Sequence, residues 1–176
     1  MQYFLNKYQK QLENFPDYNS IKENLTKRYR EYKGFNSIED GLYSSDINVY
    51  NTALEEMYIN RWGYSDNELD RYAMIITNRI LFVQLGDVQT SLNYLHALLK
   101  YKYIRLDNSD LLQNLIKILE KYSKELLQKY NINVFEASRY LVSIANILSK
   151  SGIESKGVEK WKHLGESKRF CGIDDI

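Results

Sequence analysis

Apolar residues recur at helical spacing along almost the whole chain. Phe4, Tyr8, Leu12 and Phe15 make a first stripe. Ile21, Leu25, Tyr29 and Tyr32 follow behind Ser20 and Glu23, which are spaced as a capping box, and Gly34 supplies a left-handed stop. Ile47, Tyr50, Leu54 and Met57 define the next stripe, continued by Arg61 and Trp62 and closed by Gly63. A second capping box, Ser65 and Glu68, precedes Leu69, Tyr72, Ile76, Ile80 and Val83. Asp87 then opens a helix with Val88, Leu92, Leu95 and Leu99, and Tyr103 lies at the edge of that stripe. The junction "LGDV" is short enough to require an antiparallel hairpin. Asn108 or Ser109 caps a long helix bearing Leu112, Leu115, Leu119, Tyr122, Leu126 and Tyr130. Asn133 and Glu136 start another, with Val134, Leu141, Ile144 and Leu148, that runs to Gly152. Val158, Trp161 and Leu164 mark a short final helix.

Beyond the one proline, Pro16, nothing in the chain forbids long helices. The pattern predicts an all-α protein of seven or eight helices in a compact multi-helix bundle. Successive helix pairs of similar length also fit a short α-solenoid of stacked helical hairpins, although no residue signature repeats between them. Residues 1–165 read as a single all-helical domain. Residues 166–176 form a C-terminal tail without a period, frayed or docked on it. Residues 34–45, "GFNSIEDGLYSS", read as a loop with at most one short turn, and place Phe35 and Tyr43 where contacts are often made.

A chain of 176 residues is long enough to bury a core of its own. Its single cysteine, Cys171, excludes an internal disulfide framework and a multi-cysteine zinc site. No run approaches the ~20 apolar residues of a membrane span, and the N-terminus lacks the apolar core of a signal peptide. The expectation is a soluble cytoplasmic protein with no membrane contact. Lys and Arg number 24 against 23 Asp and Glu. The balance is even along the chain: 8 basic and 9 acidic residues over 1–62, 9 and 8 over 63–130, 7 and 6 over 131–176. A nucleic-acid binder more often shows a basic excess or segregation. Asn, Ile, Lys and Tyr occur 16 times each, against 22 for Ala, Gly, Pro and Arg together. That bias suggests an A/T-rich genome, such as those of many phages, firmicutes, some thermophilic archaea or large viruses.

Two stretches interleave bases with aromatics, "TKRYREYKGF" and "LLKYKYIRL". In the first, Tyr29 and Tyr32 share a stripe with Ile21 and Leu25, so the rings are needed as core. Lys27, Arg30 and Lys33 then fall on the solvated side. In the second, Lys100, Lys102 and Arg105 stand near a helix end, where cations suit the dipole. These six, with Lys160 and Lys162, are the candidate nucleic-acid contacts, because base stacking needs aromatics that face solvent beside cations.

Catalytic chemistry is hard to find. His96 sits beside a core stripe with no second His or Cys nearby to share a metal. His163 and Cys171 are close in sequence, yet nothing around them supplies an oriented base or an oxyanion site. Glu55 and Glu56, then Asp66, Glu68 and Asp70, would form an acidic hairpin able to hold a cation, but Glu68 already has a capping role and Asp66 and Asp70 suit a first turn. No phosphate loop or dinucleotide fingerprint occurs. No catalytic residue, metal or cofactor is assigned. The surplus is tyrosine, 16 residues. Tyr is enriched at protein interfaces because it buries area at low rotamer cost. Phe35, Tyr43, Tyr58, Tyr64, Tyr101 and Tyr103 are therefore the candidate partner contacts. The expected function is non-catalytic protein binding through a tyrosine-rich helical surface, by an inhibitor, immunity or regulatory factor of a phage or mobile element; a homo-oligomer is compatible. The alternative is a nucleic-acid-binding helical subunit of a ribonucleoprotein.

Overall fold

A computed structural model describes residue 23, residues 34–82 and residues 88–166. The stripes over 4–15 and 21–32, the junction before Val88 and the residues after Glu166 lie outside these. Every described element is helical. In order they are α1 (Ile38–Leu42), α2 (Ile47–Ile59), a 3-10 turn (Arg61–Gly63), α3 (Asp66–Leu81), α4 (Val88–Lys100), α5 (Ser109–Lys121), α6 (Lys124–Lys129), α7 (Val134–Lys150) and α8 (Lys156–Gly165). The chain is all-α, as the spacing predicts, with no strand among the described residues. Its contacts divide into two units, one ending at Tyr64 and one beginning at Ser65.

In the first unit α1 packs on α2. Residues 34–45 are more ordered than the loop expected of them. Ser37 caps α1 by accepting from the Asp40 amide, and Phe35, Ile38 and Leu42 are buried. Gly41 allows the approach to α2, since a Cβ there would lie 2.6 Å from that of Ala53. Asp46 caps α2, whose Tyr50, Ala53, Leu54 and Met57 form the facing stripe. The helix ends at Ile59, and the backbone then winds into the 3-10 turn. That change of pitch takes Trp62 off the stripe and leaves it 75% exposed, a correction to the spacing.

The second unit is a closed circuit of helices. α3 packs on α4 and α5, α4 on α7, α7 on α8, and α8 returns to α5. In a solenoid each repeat touches only its sequence neighbours. Here α4 with α7 and α5 with α8 are not neighbours, so this unit is a bundle. Ser65 caps α3 through the Glu68 amide at 3.2 Å, and its hydroxyl donates to the Glu68 carboxylate. Asn133 caps α7 through the Glu136 amide, while the Glu136 carboxylate accepts from Gln89 on α4.

One long helix over 108–130 does not form. α5 stops at Lys121, Tyr122 adopts extended backbone (ψ 137°), and Ser123 caps a new helix, α6, by accepting from the Leu126 amide. The side chains around this break carry the hydrogen bonds that close it. Tyr122 donates to Ile80 O at 2.9 Å, and Lys121 donates to Leu81 O. Trp161 on α8 donates to Leu119 O at 2.9 Å. Carbonyls at the ends of α3 and α5 have no partner inside their own helices, and side chains of neighbouring helices supply them.

Candidate binding groove

Both α4 and α7 end beside a groove in the second unit, of about 720 Å³. Its floor is aliphatic, from Leu99, Ile104, Leu106 and Ile147. Its rim carries Lys100, Lys102, Arg105 and Lys150, with Ser151 between. The size is that of an ordinary ligand or peptide-anchor site.

The two helices end in the same way. After α7, Ile153 N–H donates to Leu148 O and Gly152 N–H to Ser149 O, with Gly152 at φ +79°. After α4, Tyr103 N–H donates to Leu98 O and Lys102 N–H to Leu99 O, with Lys102 at φ +60°. Both are Schellman endings, whose left-handed position favours glycine. Gly152 meets that preference. Lys102 does not, and its Cβ makes the conformation costly. The chain therefore holds an exposed cation on the groove rim at a position where glycine would be easier.

The surroundings shape the charge. Lys100 Nζ lies 5.4 Å from the ring centroid of Tyr101, which is 59% exposed. Arg105 pairs with Asp66 at 3.2 Å, both side chains being largely exposed, so the pair itself adds little stability. Asp70 sits nearby with its carboxyl held above the ordinary range, by burial first and then by Asp107 and Asp66, with Arg105 opposing. One flank of the groove is thus acidic and the rest is basic.

Of the candidate cations, Lys100, Lys102 and Arg105 converge here. Lys27, Arg30 and Lys33 lie outside the described residues. Lys160 and Lys162 line no part of the groove. Lys160 stands near Glu125, whose carboxyl is lowered by its own amide and the Ser123 hydroxyl, and more weakly by Lys160 and Lys124. Sequence reading missed Lys150, Leu106 and Ile147. The signal for Lys150 was a second helix ending in a cation, which means nothing until the two ends are seen to meet.

The candidate aromatics are dispersed. Phe35 is buried in the first unit, against the Gly41 backbone. Tyr43 is exposed, and Tyr58 and Tyr64 are half-buried. The Arg61 guanidinium stacks on Tyr58, 4.2 Å from its centroid. In the second unit Tyr101 is exposed and Tyr103 half-buried. Phe82 and Phe135 are exposed there too, unremarked in the spacing.

His96 is buried between α4 and α7, 5.6 Å from the Tyr140 ring, with Nε2 unpartnered. Burial, then Lys100 and Arg139, push its pKa down to about 4, so the ring is neutral near pH 7. His163 is exposed, and Cys171 lies outside the described residues. Among the described residues no group of three His, Cys, Asp or Glu side chains is placed to hold a metal ion. Nor is any described helix long and apolar enough to cross a membrane.

No protein-family model, curated protein or solved structure matches this chain.

Proposed function

We propose that this chain is a non-catalytic protein-binding protein, an inhibitor, immunity or regulatory factor encoded by a phage or mobile element. The observation that carries the reading is the groove: an aliphatic floor under a cationic rim, beside the exposed Tyr101. Aliphatic floors take side chains of a partner, and exposed Tyr adds area at low entropic cost. The A/T-rich composition supports the source.

A second reading, a nucleic-acid-binding subunit, is favoured by the convergence of Lys100, Lys102 and Arg105. Two features count against it. The groove lining contains no aromatic, and Tyr101 beside it is a single exposed ring where a stacking platform uses several in succession. A phosphate backbone running past Arg105 would also meet Asp66, Asp70 and Asp107.

The test is affinity capture by tagged full-length chain from native or host lysate, with and without nuclease, beside the variants Ile147→Asp and Lys150→Glu. The reading expects a stoichiometric protein partner that survives nuclease and is lost by both variants. Loss of every partner on nuclease treatment would move the assignment to nucleic acid.

A further inference from the structure

We infer that the groove between the ends of α4 and α7 recognises a short acidic segment of the partner protein, two or three carboxylates flanking one aliphatic anchor. The inference rests on the protein-binding reading above and names the chemistry of its partner. Four cations, Lys100, Lys102, Arg105 and Lys150, ring a floor made by Leu99, Ile104 and their neighbours. A segment with carboxylates alone would leave that floor wet. An apolar segment alone would make no use of the charge on the rim. The acidic flank at Asp66, Asp70 and Asp107 limits how far a polyanion can run past Arg105, which favours a short acidic cluster over a long one.

The second, independent observation is Lys102. It occupies the left-handed position of a helix ending at φ +60°, where the equivalent ending of α7 has Gly152. Lysine there makes the fold less stable than glycine would. Residues held in such conformations cluster at binding sites, where the surroundings maintain them for a purpose. Lys102 is thus a specificity-determining residue of the groove, kept against the preference of the turn.

The experiment is fluorescence anisotropy with the full-length chain and labelled peptides of about six residues, roughly 20 Å in extended form. The probe is a single aliphatic residue, Leu or Ile, flanked by two or three Asp or Glu. One control replaces the aliphatic residue by Ser, a second replaces the acids by Asn and Gln, and a third is a single-stranded RNA oligonucleotide of similar length. Only the acidic–aliphatic peptide is expected to bind at physiological salt. Lys102→Gly is expected to weaken that binding by roughly fivefold, the upper range for one exposed charge pair. The same variant is expected to raise Tm by roughly 2–4 °C, because glycine relieves the turn. Loss of binding together with a gain in stability is a result that a merely structural lysine would not give. Equal binding of the Ser control, tighter binding of RNA, concentration-dependent self-association through the groove, or no peptide binding would each overturn the inference. If the peptide fails while the lysate capture still yields a nuclease-resistant partner, the inference falls and the protein-binding reading stands. If nuclease removes every partner, both fall.

Discussion

The phenol of Tyr122 donates a 2.9 Å hydrogen bond to the carbonyl of Ile80, a bond made at the residue where α5 gives way to α6. Tyr122 is 2% exposed and Ile80 fully buried, so neither group has water as an alternative partner. The bond joins the end of one helix to the break in another, 42 residues apart.

Tyr122→Phe removes the donor and keeps the ring. A buried hydrogen bond is lost, which costs about 0.5–1.5 kcal/mol. Urea denaturation is expected to show a lower midpoint with an unchanged slope. Alkali gives a second readout. Burial, helped by Tyr130, pushes the Tyr122 pKa up to about 12. The folded state therefore resists losing that proton, and the contribution of Tyr122 is whole below pH 10 and declines as pH rises toward 12. The stability gap between wild type and Tyr122→Phe should narrow over that window. A gap that stays constant would place the phenol in solvent.

The helical stripes were legible where a repeated face meets a core. Leu69, Tyr72, Ile76 and Ile80 are all buried, as their spacing requires. The break at Tyr122 was not, because Leu119, Tyr122 and Leu126 keep helical spacing straight through it. What decides the matter is a partner on α3, and a carbonyl distant in sequence leaves no mark on local periodicity. Ser123 was the one available clue, since a hydroxyl within a stripe competes for the backbone as a cap. α1 escaped notice because five residues are too few to show a period, although Ser37 and Asp40 stand at capping distance. The groove was half legible. Lys100, Lys102 and Arg105 are neighbours in sequence, but Lys150 joins them only through packing of α4 on α7.

Gly157 lets α8 lie close against α5. A Cβ there would lie 2.9 Å from the Glu120 amide nitrogen and 3.0 Å from the Leu119 carbonyl carbon, both backbone atoms that cannot swing aside. Gly157→Ala, in the first turn of α8, gains at most about 1 kcal/mol in helix propensity. It loses more by forcing the helices apart, where overpacking costs about 1–3 kcal/mol. A net loss of stability is the expected outcome. Trp161 lies one turn on and donates to the same stretch, at Leu119 O. Separation of the helices should lengthen that bond, so Gly157→Ala and Trp161→Phe should cost less together than the sum of their single effects. Denaturation of the two single variants and the double variant checks this. Strict additivity would mean that the helices do not move.

His96 makes the fold sensitive to acid. Its ring is buried between α4 and α7, and Lys100 on its own helix and Arg139 on the facing one add to burial in opposing its protonation. The unfolded chain takes up the proton near pH 6.5, whereas the folded chain refuses it until about pH 4. The contribution is therefore complete above pH 6.5 and falls as the pH drops from there to about 4. Allowing for solvent screening, the loss is on the order of 2 kcal/mol. Other carboxylates titrate at the low end of this range, so the quantity to read is the difference between wild type and His96→Gln, which does not titrate. Urea midpoints at several values between pH 7.5 and 4.5 should show wild type losing stability faster than the variant. Parallel curves would mean that the ring reaches water, and that its burial against Tyr140 does not hold in solution.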